Sequence, residues 1–164
     1  MPKQKYNVLF LCTGNSARSI MAEVILSHWP GQRFVAYSAG SFPKDDVHPL
    51  ALKLLQSMNM ETDSLRSKSW DEFIGAQAPR MDFVFTVCDN AANETCPIWT
   101  GSPMTAHWGI ADPAAAEGDE AQRLAAFRTA FAELESRIRL FADLPLASLD
   151  SAAIQKKTDS IGQG

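Results

Sequence analysis

No segment of this chain is dense in Lys and Arg, and no apolar run is long enough to cross a bilayer. The apolar stretch nearest the start, Tyr6-Asn7-Val8-Leu9-Phe10-Leu11, is also too short for a secretory signal core. These absences argue against a nucleic-acid binder and a membrane protein, and a cytoplasmic location is expected. Positive charge is in deficit: 15 Lys and Arg face 19 Asp and Glu, a formal net charge of −4. Any anion the protein binds must therefore be drawn by a focused local field rather than by a basic face. Cysteine is scarce as well. The three residues, Cys12, Cys88 and Cys96, are too few and odd in number for a disulfide scaffold. In a reducing compartment they are free, metal-bound or catalytic. Internal repeats and low-complexity blocks are lacking too.

What is present is an ordinary apolar content, 46% over 164 residues, enough for one compact domain with a core. Val8-Leu9-Phe10-Leu11 is a continuous apolar run, as expected of a strand buried on both faces. Ile20, Met21, Val24, Ile25 and Trp29 then recur at helical spacing from Ala17 until Pro30-Gly31. Phe34–Ser38 reads as a second strand and His48-Pro49 opens a second helix carried by Leu50, Leu54, Leu55 and Met58. The polar stretch 65–75 suggests a loop and a short helix. Phe83–Val87 is a third strand, residues 89–101 a long loop, Met104–Trp108 a short fourth strand. A long helix is expected from about Glu117 to Ala142, with Leu124, Phe127, Phe131, Leu134, Ile138 and Phe141 on one face. This order predicts an α/β fold, an open, mostly parallel sheet covered by helices. A single catalytic domain is expected over 1–145, and 146–164 as an extension, a short helix and then a frayed tail.

The first strand and first helix are joined by Cys12-Thr13-Gly14-Asn15-Ser16-Ala17-Arg18-Ser19. Ligands of open α/β sheets bind beyond the carboxyl ends of strands. A helix N-terminus offers unpaired N–H groups and partial positive charge, which suit a tetrahedral oxyanion. Gly14 lets the backbone approach a ligand, Asn15 tolerates a left-handed conformation, and Arg18 supplies a planar fork of donors. The same surroundings are expected to lower the pKa of Cys12 below the usual thiol value of about 8.5 and make it a nucleophile. Ser19 could donate a hydrogen bond to the sulfur. Residues 13–19 are thus the expected substrate-binding set. The competing reading is a buried structural cysteine, which leaves the Gly-Asn-Ser-x-Arg sequence unexplained.

This loop, with Met21-Ala22-Glu23, Tyr37-Ser38-Ala39-Gly40 and His48-Pro49, resembles the signature of the low-molecular-weight protein tyrosine phosphatases and the arsenate reductases built on the same fold. The resemblance covers roughly residues 6–142 and implies a four-stranded parallel sheet with flanking helices. It also implies a general acid in an Asp-Pro pair. Asp112-Pro113 fits, although Ala114 stands where phosphatases carry an aromatic residue, which argues against an aryl substrate; the pair could equally be a turn. Cys88, just past the third strand, and Cys96 resemble the second and third thiols of the three-cysteine arsenate reductases, with one extra residue between them. The activity this resemblance implies is reduction of arsenate, with phosphate or sulfate competing, through Cys12, Cys88 and Cys96 in turn. Thioredoxin, or glutaredoxin with glutathione, would be the outside reductant, in a monomer without metal or cofactor. Two alternatives are a phosphatase whose extra cysteines protect Cys12 and a non-enzymatic thiol binder of Zn²⁺ or As(III) using His107 as well. No Cys-x2-Cys spacing supports the latter. Asn15, Glu23 and Ser38 are expected to form a polar shell under the loop, where some relatives hold a monovalent cation. Lys68 and Ser69 fall where an acidic ligand to that ion is expected; a lysine there could substitute for the cation or be solvated, and Lys68 is read as solvated. His48 and His107 are taken as structural hydrogen-bonders, and the four tryptophans as packing.

Overall fold

The computed structural model describes residues 5–88, 99 and 103–163. Four strands, β1 (Tyr6–Leu11), β2 (Phe34–Ala39), β3 (Phe83–Thr86) and β4 (Met104–His107), form one parallel sheet in the order β2-β1-β3-β4. β1 lies between β2 and β3, which is why its Val8-Leu9-Phe10-Leu11 run is apolar without alternation: all four side chains are buried. Among the described residues there are also helices α1 (Arg18–Ser27), α2 (Pro49–Ser57), α3 (Glu120–Ala142) and α4 (Ser151–Gln163), with 3₁₀ turns at Trp70–Phe73, Pro113–Ala115 and Leu146–Ser148.

The two faces of the sheet are covered unequally. Val8, Phe10, Phe83 and Phe85 pack in a large core with α1, α2 and α3. Leu9, Leu11 and Val84 point the other way, into a smaller cluster with Phe73, Met81 and Trp99. In the large core the Trp108 ring stacks on Phe85 at 3.8 Å between centroids and an interplanar angle of 13°.

Local chemistry sets the helix ends. His48 caps α2, its Nδ1 accepting from the Leu50 N–H at 3.1 Å, with Pro49 at the first helical position. The long helix starts at Glu120 rather than Glu117. Gly118 takes φ +111°, and Asp119 and Gln122 then form a reciprocal capping box. The expectation of a frayed tail is corrected. Residues 151–163 are helical, and α4 is pinned to the outer edge of the sheet beside β4. Trp108 Nε1 donates to Thr158 O at 3.0 Å, Gln155 Nε2 donates to Thr105 O at 2.9 Å, and Ile161 is buried. Gly162 is required by this contact, since a Cβ there would lie 2.0 Å from His107 O. Among the described residues no helix is long and apolar enough to cross a membrane. The loop expected over 89–101, and Cys96 within it, lie outside the described residues apart from Trp99, whose ring packs edge-on against Trp70.

Candidate active site

The site is built at the carboxyl end of β1. Cys12 follows the last strand residue, its N–H still bonded to Ala39 O at 3.2 Å, and its side chain is buried. The chain turns through Thr13–Ala17 and α1 begins at Arg18, with no side-chain cap on its N-terminus and no acidic residue in its first turn. The helix-end donors are therefore not spent on a carboxylate or hydroxyl. Asn15 holds the left-handed conformation expected of it, φ +44°.

The loop is held from outside by its carbonyls. Thr13 O accepts from Phe42 N–H at 2.9 Å, Gly14 O from Lys44 N–H at 3.0 Å, and Ser16 O from His48 N–H at 2.9 Å. In a trans peptide the C=O and the following N–H point in opposite directions. Anchoring these three carbonyls on residues 42–48 thus turns the N–H groups of Gly14, Asn15 and Ala17 toward the concave side. Gly40 makes this packing possible: a Cβ there would meet Thr13 O at 2.4 Å and Cys12 O at 2.8 Å. Gly14 has a different neighbour from the one expected, because a Cβ on it would meet the Lys44 side chain at 3.2 Å.

The concave side opens into a cavity of about 340 Å³ lined by Cys12, Thr13, Gly14, Ser16, Ala17 and Arg18, with Phe42, Lys44, Asp112 and Ala114 at its rim. Asn15 and Ser19 are fully buried behind it. Arg18 is aimed by two contacts: Nη1 donates to Ile110 O at 2.9 Å, and Nη2 lies 3.9 Å from Asp112 Oδ2. Asp112 both lines the cavity and caps the turn after it, accepting from Ala114 N–H at 3.0 Å. Its acid reading and its turn reading are therefore compatible. Phe42 and Lys44 were not singled out from the sequence. Phe42 is 72% exposed, and nothing in Ser41–Asp46 has a periodicity or motif that would have placed it over the cavity.

Cys88 comes up beneath the same loop from the end of β3. Its Sγ accepts from Thr13 N–H at 3.4 Å and lies 3.8 Å from Thr13 Oγ1. The hydrogen bond between Cys12 and Cys88, followed by burial, pushes the Cys12 thiol well above its ordinary value; Arg18 and the Gly14 N–H pull it down but do not prevail. The expected depression of this pKa is thus reversed by a second sulfur. Ser19 Oγ accepts from Asn15 Nδ2 at 2.8 Å and so supports the loop's left-handed residue.

Beneath the loop lies the polar shell. Ser38 Oγ donates to Glu23 Oε1 at 2.6 Å. Lys68 is not solvated, as its side chain is only 10% exposed and its Nζ lies 3.6 Å from Glu23 Oε1. His107 is structural, with Nδ1 2.8 Å from Thr86 Oγ1, and among the described residues no cluster of His, Cys, Asp and Glu could hold a metal ion.

Residues 7–159 match the model of the low molecular weight phosphotyrosine protein phosphatase family. The sequence is 36% identical to an arsenate reductase of Halalkalibacterium halodurans over 136 residues, covering 83% of this chain and 94% of that protein. It is 35% identical to an arsenate reductase of Bacillus subtilis, with the same coverage of each. Among solved structures, an arsenate reductase of Archaeoglobus fulgidus superposes with a TM-score of 0.61 at 27% identity, covering 80% of this chain and 95% of that one. A thioredoxin-dependent arsenate reductase of Corynebacterium glutamicum gives a TM-score of 0.60 at 25% identity, covering 85% of this chain and 61% of the other.

Proposed function

The chain belongs to the low molecular weight phosphotyrosine protein phosphatase family, and on that premise we propose that it is an arsenate reductase drawing two electrons from its own thiols. The observation that carries this reading is the second sulfur. Cys88 is hydrogen-bonded to both Cys12 and the backbone of the oxyanion loop, where hydrolysis of a phosphate ester has no use for it.

Arsenate enters the loop, bound by the inward N–H groups and by Arg18. Cys12 Sγ gives up its proton to an arsenate oxygen and forms an S–As(V) bond, and that oxygen leaves as water with a second proton from Asp112. Cys88 then attacks Cys12 Sγ. The S–As bond breaks with its electron pair staying on arsenic, so As(V) leaves as As(III) arsenite and a Cys12–Cys88 disulfide remains. Cys96 attacks Cys88 and transfers the disulfide to Cys88–Cys96, which an external dithiol reduces. Thioredoxin is the reductant we favour, since the relative from Corynebacterium glutamicum depends on it.

One observation favours a secondary activity. Exposed Phe42 stands at the cavity rim and can offer an aryl group the contact that Ala114 cannot. Slow hydrolysis of aryl phosphates is therefore expected beside arsenate reduction.

The test is arsenate-dependent oxidation of NADPH with thioredoxin and thioredoxin reductase, compared with glutaredoxin and glutathione, and with an aryl phosphate as control. Replacing Cys88→Ser is expected to abolish multiple turnover with arsenate and to leave aryl phosphate hydrolysis in place. Undiminished arsenate turnover in that variant would exclude the relay, and a strong aryl phosphatase that ignores arsenate would exclude the reductase.

A further inference from the structure

Lys68 touches the loop and its supporting shell at once. Its backbone N–H donates to Asn15 Oδ1 at 2.8 Å, and its neighbour Ser67 donates from Oγ to Gly14 O at 3.1 Å. Its ammonium folds back under the loop, donating to Arg66 O at 3.0 Å and Ser38 Oγ at 3.3 Å, with Glu23 Oε1 at 3.6 Å. The strand bridge between Gly40 and Ser69 holds this segment against the end of β2. Three oxygens from three parts of the chain, one of them an acidic side chain, thus converge on a single positive charge.

We propose that Lys68 is a positioning residue whose ammonium is a built-in cation for the oxyanion loop, occupying a cage of oxygens that would otherwise suit an alkali-metal ion. Glu23, Ser38 and the Arg66 carbonyl have the chemistry of ligands for a hard monovalent cation. A second cation does not fit beside the ammonium, because two like charges would share one partly buried carboxylate. The residues present therefore disagree with a bound metal ion at this place. The ammonium neutralises Glu23, which accepts the hydrogen bond from Ser38 Oγ. It also fixes the 66–68 segment, whose amide and hydroxyl hold Asn15 and Gly14 in the conformation that turns the loop donors inward. Burial first, with Arg66 adding to it, lowers the pKa of Lys68 from its ordinary value, and the Glu23 carboxylate opposes that fall. The inference rests on the oxyanion-loop reading and not on arsenate as the substrate.

The test uses inorganic phosphate as the loop ligand. Protection of Cys12 from alkylation by iodoacetamide, followed by peptide mass spectrometry, reports phosphate affinity without requiring turnover or the other two thiols. Wild type, Lys68→Ala and Lys68→Met are compared in choline, sodium, potassium and methylammonium chloride at equal ionic strength, with circular dichroism confirming the fold. Wild type should protect equally in all four salts. Lys68→Ala should need roughly tenfold more phosphate in choline, a loss on the scale of one positioned charge interaction, and should recover in potassium or methylammonium. Lys68→Met, which fills the cage without a charge, should be weakened and should not recover. Potassium-dependent affinity in wild type would overturn the proposal. So would wild-type affinity in folded Lys68→Met, or a defect in folded Lys68→Ala that no cation repairs. If Lys68→Ala does not fold, the comparison of wild type with Lys68→Met decides.

Discussion

A second sulfur, placed beneath the loop at the end of β3, raises the pKa of Cys12. The thiol is held up chiefly by its bond to Cys88, with Arg18 and Gly14 opposing. Removing the bond should expose the opposing pull. Cys88→Ala is expected to move the pH midpoint of Cys12 alkylation to lower pH, and an unmoved midpoint would assign the elevation to burial alone. The placement of Cys12 and Arg18 and the conformation of Asn15 were legible because they depend on neighbours in sequence: a strand end, a short turn and a helix start. The reversal of the Cys12 pKa was not legible, because it depends on a contact between Cys12 and Cys88, 76 positions apart. For Lys68 the choice between a solvated lysine and one standing in for a cation fell on the wrong side for the same reason. Leu65–Ser69 has no apolar periodicity, and the buried partners of the lysine, Ser38 and Glu23, lie on β2 and α1.

Elements place these residues, and one carries its own titration. The cap of α2 requires an unprotonated Nδ1 on His48, which also packs on the Phe127 ring at 4.7 Å between centroids. Burial first, then the positive charges of Arg123 and Lys44, lower its pKa from the ordinary 6.5. Between the lowered value and 6.5 the unfolded chain binds more protons than the native one, so stability rises with pH there. The contribution is complete above about 6.5 and is lost as pH falls through that value toward the lowered one. His48→Asn keeps a capping oxygen without a titration. It should flatten the dependence of Tm on pH between roughly 5 and 7.5; a slope equal to wild type would place the titration elsewhere. The existence and order of strands and helices were readable from apolar runs and periodicity. Where α3 starts was less so, because Gly118 and the Asp119–Gln122 box override the polar residues that precede them. For α4 only Ile154 and Ile161 mark an apolar face on a polar segment, so its helix is secured by what it packs against more than by its own sequence.

Across the molecule the sheet has two edges, and the β4 edge is closed by a helix that lies far downstream of it in the chain. Deleting residues 150–164 would uncover Trp108 and Thr105 O and remove the buried Ile161 and Thr158. A loss of about 3 kcal/mol, the scale of one or two buried side chains, corresponds to a fall in Tm of roughly 6–12 °C for a chain of this size. Concentration-dependent association should accompany it in light scattering, because an open strand edge pairs with others. A deletion that stays monomeric with wild-type Tm would show that α4 is dispensable. The placement of α4 also has a consequence for how the protein is made. Synthesis runs from the N-terminus, so β1, the Cys12 loop and α1 leave the ribosome ahead of β4, and β4 emerges well before the helix that covers it. During that interval the nascent chain carries a nearly complete catalytic pocket beside an unguarded strand, and the delay in translating α3 and α4 sets how long a chaperone must shield it.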